Sequence, residues 1–159
     1  MPDLDPGIRR SVRLLLAASC LALMACLPGG SAASPLQPKE AAMKIRIHVD
    51  DQVVDATLYD NPAARDFAAL LPLSLTLEDY AVIERIADLP GKLSTVQAPA
   101  GMTPQAGDIT YYAPWGNLAI FVKGRSYASG LLPLGRVDAG LPALQRHGPL
   151  QVRIEPVQD

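Results

Sequence analysis

A mainly β domain, a small closed barrel with two short helices, is the fold class that the sequence predicts for residues 43–157. Three observations predict it. Short segments of period-two hydrophobicity recur from Lys44 to Glu155. Four of the eight aromatic residues gather in one stretch, Gly107–Phe121, which reads as two strands joined by a Pro114-Trp115-Gly116 turn. Only two short segments have helical character, and neither repeats nor heptads occur, so mostly strands remain to close into a sheet.

In chain order, Lys44–Val49 alternates strictly, with Ile45, Ile47 and Val49 on one face. Asp50-Asp51 turns the chain, and Val53–Tyr59 returns as a second strand. Asn61 is placed to cap free amides and Pro62 suits a first helical position, so a helix follows, with Ala63, Phe67, Leu70 and Leu71 on one face and Pro72 as its stop. Leu73–Leu77 resumes period two, whereas Val82–Leu89 fits a strand or a short helix equally. Residues 90–106, rich in Gly, Pro, Ser, Thr and Gln, predict a long loop of the kind that lines binding sites. In the hairpin, Ile109, Tyr111 and Ala113 share one face and Thr110 and Tyr112 the other; Leu118, Ile120 and Val122 oppose Asn117, Ala119 and Phe121. A loop at 124–130 leads to a strand at Leu132–Val137. A helical turn at Leu141–Arg146 stops at Gly148, and Gln151–Glu155 closes the sheet.

Residues 1–33 predict a signal peptide: Arg9, Arg10 and Arg13 precede an apolar run, Leu14–Leu27, too short for a membrane span of ~20 residues. Small residues then permit cleavage after Ala33. The alternative is Leu23-Met24-Ala25-Cys26, which resembles a lipobox and would lipidate Cys26, giving the only expected membrane contact. The product is expected to be exported, periplasmic or lipid-anchored to the cell envelope; Met43 is an alternative start that would leave no leader. Residues 34–42 predict a flexible linker. Both cysteines, Cys20 and Cys26, lie in the leader, so the domain is held by its core without a disulfide. From Ser34 onward eleven basic residues face fourteen acidic ones, a balance that disfavours nucleic acid.

The chain from Met43 onward resembles the small bacterial cyclophilin-like fold proteins, a family with no established activity. The resemblance is carried by Asn61–Pro72, Leu75–Tyr80, Gly107–Phe121 and Leu134–Leu141. It implies a closed barrel. A fainter likeness to true cyclophilins extends to Leu134-Gly135-Arg136-Val137-Asp138-Ala139-Gly140-Leu141. Those enzymes place a catalytic arginine in a Phe-His-Arg-Ile-Ile-Pro segment. The nearest match is Ile83-Glu84-Arg85-Ile86, so Arg85 is the catalytic candidate, but the aromatic, Met and Gln partners are missing. The plainer reading makes Glu84-Arg85 a solvated charge pair on a strand edge, and the sequence favours it because exposed arginines are the commoner case.

Tyr80, Tyr112, Trp115, Asn117 and Phe121 are the candidate ligand-binding residues, aromatic walls with one amide, while alternation assigns Tyr111 to the core. The groove is expected between the 90–106 loop and the hairpin, with the rings at one mouth of the barrel. His48 and His147 lie far apart in the chain without a cysteine, and no phosphate-binding glycine loop occurs, so no metal or cofactor is implied. The expectation is a non-catalytic binding module for a peptide or small ligand; the alternative is a weak peptidyl-prolyl isomerase using Arg85.

Overall fold

The structure, a computed structural model, describes residues 42–158. The predicted leader with its Cys26, and the linker up to residue 41, lie outside the described residues. Among the described residues no helix is long and apolar enough to cross a membrane.

Alternation near the start of the domain produces the hairpin that the pattern requires. Strand β1 (Lys44–Val49) buries Ile45, Ile47 and Val49, and β2 (Gln52–Leu58) buries Val54, Ala56 and Leu58. Asp50 takes the left-handed turn conformation, φ 51°, which aspartate tolerates better than most residues. Helix α1 (Pro62–Ala69) starts as predicted: the Asn61 side-chain oxygen accepts from the Ala64 amide at 2.8 Å, with Pro62 inside the first turn. Its apolar face is Ala63, Ala64 and Phe67, with Phe67 wholly buried as a plug. The helix ends two residues before the expected Leu71, and Leu70 and Leu71 pack only partly against the core.

Strand β3 (Leu73–Tyr80) runs three residues beyond its sequence estimate, bringing Tyr80 into the sheet. The ambiguous segment is strand β4 (Glu84–Asp88). Its pattern was illegible because Arg85 and Ala87 fill inward positions while Glu84 on the outer face is also buried, so burial does not alternate with hydrophobicity. Neither expected loop is structureless: β5 (Gly101–Met102) pairs with β8 (Ala128–Ser129) as a small separate ribbon. Strands β6 (Asp108–Tyr112) and β7 (Asn117–Phe121) form the aromatic hairpin. Strand β9 (Leu131–Ala139), a 3-10 helix (Leu141–Gln145) and β10 (Leu150–Pro156) complete the chain.

The eight longer strands close an antiparallel barrel in the order β1-β10-β3-β4-β7-β6-β9-β2. Closure removes exposed strand edges, which suits a small domain without cross-links. One apolar core fills the interior, with Phe67 from α1 and Leu144 from the 3-10 helix among its plugs. Tyr111 belongs to that core, as its alternation predicted, and its hydroxyl accepts from the Leu93 amide at 3.3 Å.

Candidate functional site

A barrel wall normally turns its outer face to water. The wall made by β4, β7, β6 and β9 does not: Ala119, Phe121 and Leu131 form a second buried cluster on its outside, against Ile86, Tyr112, Met102 and Ala128. Strand β7 is consequently buried at all five positions, on both faces. The ribbon of β5 and β8 banks this outer cluster along one side, through Met102 and Ala128.

What the ribbon leaves open is a pocket of about 360 Å³. Tyr80, Tyr112, Trp115, Asn117 and Phe121, the five residues singled out from the sequence, all line it. Strand register explains why. Asn117 lies opposite Tyr112, which lies opposite Leu131, forming one row across the wall. The Glu84–Phe121 pair forms another row, and Ile86–Ala119 lies between them. Trp115 reaches over the pocket from the hairpin turn, where Gly116 at φ 78° supplies the backbone conformation that most side chains disfavour. Its ring meets Tyr112 edge to face at 5.3 Å and Tyr80 at 5.9 Å, both nearly perpendicular. Trp115 remains 60% exposed and Tyr80 41%, whereas Phe121 is the buried floor.

Two expectations need correction. The rings gather on the outer wall, not at a mouth of the cylinder, because the residues that carry them alternate with the core-facing ones. The second bank is supplied by the segment of Arg125, Ala128, Ser129 and Leu131, not by the 90–106 loop, which buttresses it from behind through β5. The Arg125 amide is held there by the Pro104 carbonyl at 3.2 Å.

The polar groups of the pocket are few. Glu84 is 6% exposed, and burial pushes its carboxyl above the usual carboxylate range, although Arg125 pulls the other way. Arg125 Nη1 reaches Glu84 Oε1 at 3.4 Å, a loose pair. Asn117 is 3% exposed, and its side-chain oxygen is buried without a hydrogen-bond partner, the only such side-chain atom among the described residues. Neither Glu84 nor Arg125 was singled out as a ligand contact from the sequence. The signal was present only in three dimensions, because 41 residues separate them.

Arg85 stands elsewhere. Register places it opposite Ile120, on the inner face of β4, and it is 2% exposed. Its Nε donates to the Leu144 carbonyl at 2.7 Å, its Nη1 donates to the Gly148 carbonyl at 3.2 Å, and Asp79 Oδ2 lies 3.4 Å from Nη1. The solvated edge pair with Glu84 is therefore wrong: the two residues point to opposite sides of the wall. Arg85 borders a separate depression with Asp79, Lys123 and His147. His147 is almost fully exposed, 3.7 Å from Asp79, while His48 meets Glu155 at 3.0 Å on the barrel's other side. Among the described residues no three His, Cys, Asp or Glu side chains stand together as metal ligands.

A closed antiparallel barrel with an aromatic pocket on its outer wall defines the class: a barrel that offers a concave face beside a sealed core. Residues 47–155, more than half of the chain, match the model of the Cyclophilin-like family, and the chain belongs to that family. The solution structure of a hypothetical protein from Archaeoglobus fulgidus is similar in fold, with a TM-score of 0.53 at 17% identity, covering 75% of this chain and 99% of the archaeal one. No curated protein matches the chain significantly.

Proposed function

We propose that this chain is an exported, non-catalytic binding module whose peptide or small-molecule ligand occupies the outer-wall pocket. One observation carries the reading: five residues drawn from β3, the hairpin and its turn converge on a single concavity of about 360 Å³, a size suited to small ligands. The charged groups in it, Glu84 and Arg125, are engaged with each other, which suits recognition better than proton transfer. The isomerase alternative would need Arg85 to abandon two carbonyls and Asp79. Arg9, Arg10 and Arg13 ahead of the apolar run support export.

A thermal-shift screen of peptides and metabolites is expected to yield ligands whose affinity falls tenfold or more in Trp115→Ala and Tyr112→Ala, the loss typical of a central aromatic contact. If both variants bound every ligand as tightly as the parent, the pocket would be misplaced. Intact-mass measurement of the product recovered from cells tests export: a start at Ser34 or a lipidated Cys26 is expected, and an unprocessed Met1 or a start at Met43 would refute it.

A further inference from the structure

One bank of the outer-wall pocket is a strand edge, and a strand edge selects its own kind of ligand. Resting on the reading of this pocket as a ligand site, we propose that it takes an extended peptide segment as a third strand of the β5–β8 ribbon. One ligand residue exchanges two backbone hydrogen bonds with Ser129, and the residues on either side of it lower apolar side chains onto the pocket floor.

Closure hides the edges of the eight barrel strands, but the ribbon lies outside the barrel and keeps its own. Its register fixes where its backbone groups point. Met102 lies opposite Ala128 and Gly101 opposite Ser129, and one step further the Gly130 amide donates to the Ala100 carbonyl at 2.8 Å. Hydrogen-bonded and non-hydrogen-bonded positions alternate along an antiparallel pair. The Ala100–Gly130 position is bonded, so Gly101–Ser129 is not, and Met102–Ala128 is bonded again. A β-carbon built on Gly101 would lie 2.8 Å from the Ser129 Cα, in keeping with the closer approach of a non-bonded position. The N–H and the carbonyl of Ser129 therefore both point away from β5, and no backbone hydrogen bond among the described residues reaches either.

Both residues of β8 line the pocket, whereas neither residue of β5 does, so the free edge of β8 is the one on the pocket side. Ser129 is exposed, which gives an incoming chain access to that edge. One donor and one acceptor on the same strand residue are matched by a single residue of another extended chain. The pleat then sets the ligand's side chains. Ala128 packs down on the outer cluster while Ser129 turns up to water. The ligand residue opposite Ser129 shares its upward direction, and its two neighbours point down, as Ala128 does. Ile86 and Phe121 lie beneath them as an apolar floor, with the Trp115 ring reaching over it. The ligand so defined carries apolar residues two apart, with little demand on the residue between them.

The chain's single tryptophan, Trp115, lies on the pocket and reports occupancy by its fluorescence. The probes are the capped peptide N-acetyl-Leu-Ala-Leu N-methylamide and two versions of it, N-methylated at the alanine or at the C-terminal leucine. Methylation at the alanine removes the N–H that meets the Ser129 carbonyl, and methylation at the leucine removes one that points away from β8. The capped peptide is expected to bind, the alanine-methylated version about tenfold more weakly, and the leucine-methylated version within about threefold of the parent peptide. On the protein, Ser129→Pro deletes an N–H that makes no bond within the ribbon, a change that an edge strand tolerates. It is expected to weaken the capped peptide about tenfold. Equal binding of the two methylated peptides, or an undiminished affinity in Ser129→Pro, would overturn the strand pairing while leaving the pocket as a ligand site. The methylated pair decides the matter even if Ser129→Pro folds poorly. Failure of all three peptides to bind, with other ligands still sensitive to Trp115→Ala, also overturns the pairing alone; no ligand of any kind at the pocket overturns both readings.

Discussion

Arg85 and Asn117 are both buried polar residues on adjacent strands of one wall, and they are opposites. Arg85 turns inward and is held by Leu144, Gly148 and Asp79, so its guanidinium fastens the end of the 3-10 helix and the turn after it to the barrel wall. Asn117 turns outward, and its amide oxygen has no partner among the described residues. A buried polar group whose partners are all within the chain contributes to the fold, whereas one left without a partner carries an uncompensated cost of lost hydration. Arg85, which the motif resemblance singled out, faces inward while its neighbour Glu84 faces the pocket, because a one-residue step along a strand reverses the face.

Opposite responses to mutation would sharpen that contrast. Arg85→Met leaves two carbonyls without their donor and Asp79 without its cation, and is expected to lose about 3 kcal/mol of stability in urea unfolding. Asn117→Leu replaces an unpartnered amide by a side chain of similar size, and is expected to leave stability unchanged or raise it by about 1 kcal/mol. A costless Arg85→Met, or a loss above about 1 kcal/mol in Asn117→Leu, would break the comparison, since each residue would then have been assigned the other's role.

The barrel was legible because most of its strands have one face in the core and one in water. Ile45, Ile47 and Val49 on β1, and Val152 and Ile154 on β10, announce themselves by alternation, and Asn61-Pro62 announces the helix by its cap. The wall behind the pocket departs from that rule. Glu84, Asn117 and Thr110 are polar yet buried on the outer side, and Arg85 is charged yet buried on the inner side, so hydrophobicity there no longer encodes direction. The five pocket residues were found because aromatic density survives in the sequence. Arg125 and Glu84 were missed because their meeting depends on the β5–β8 ribbon, two strands of two residues each, too short to leave any periodicity. The position of the pocket outside the cylinder was likewise a matter of closure, which no local pattern specifies.

The smallest effect expected concerns Glu84 and tests which influence dominates its carboxyl. Burial raises its proton affinity and the Arg125 contact lowers it, with burial the larger. The folded chain therefore holds this proton more tightly than the unfolded one. Stability contributed by the neutral form is fully present below the ordinary glutamate pKa and is lost as pH rises through the raised one. Glu84→Gln has no proton to lose at this position. As pH rises above the ordinary glutamate range, the parent is expected to lose stability relative to Glu84→Gln, with the gap opening upward in pH and then levelling. Urea midpoints at several pH values measure it. A gap opening the other way would mean that the pair with Arg125 outweighs burial, and would place Glu84 with Arg85 among the satisfied groups instead of beside Asn117.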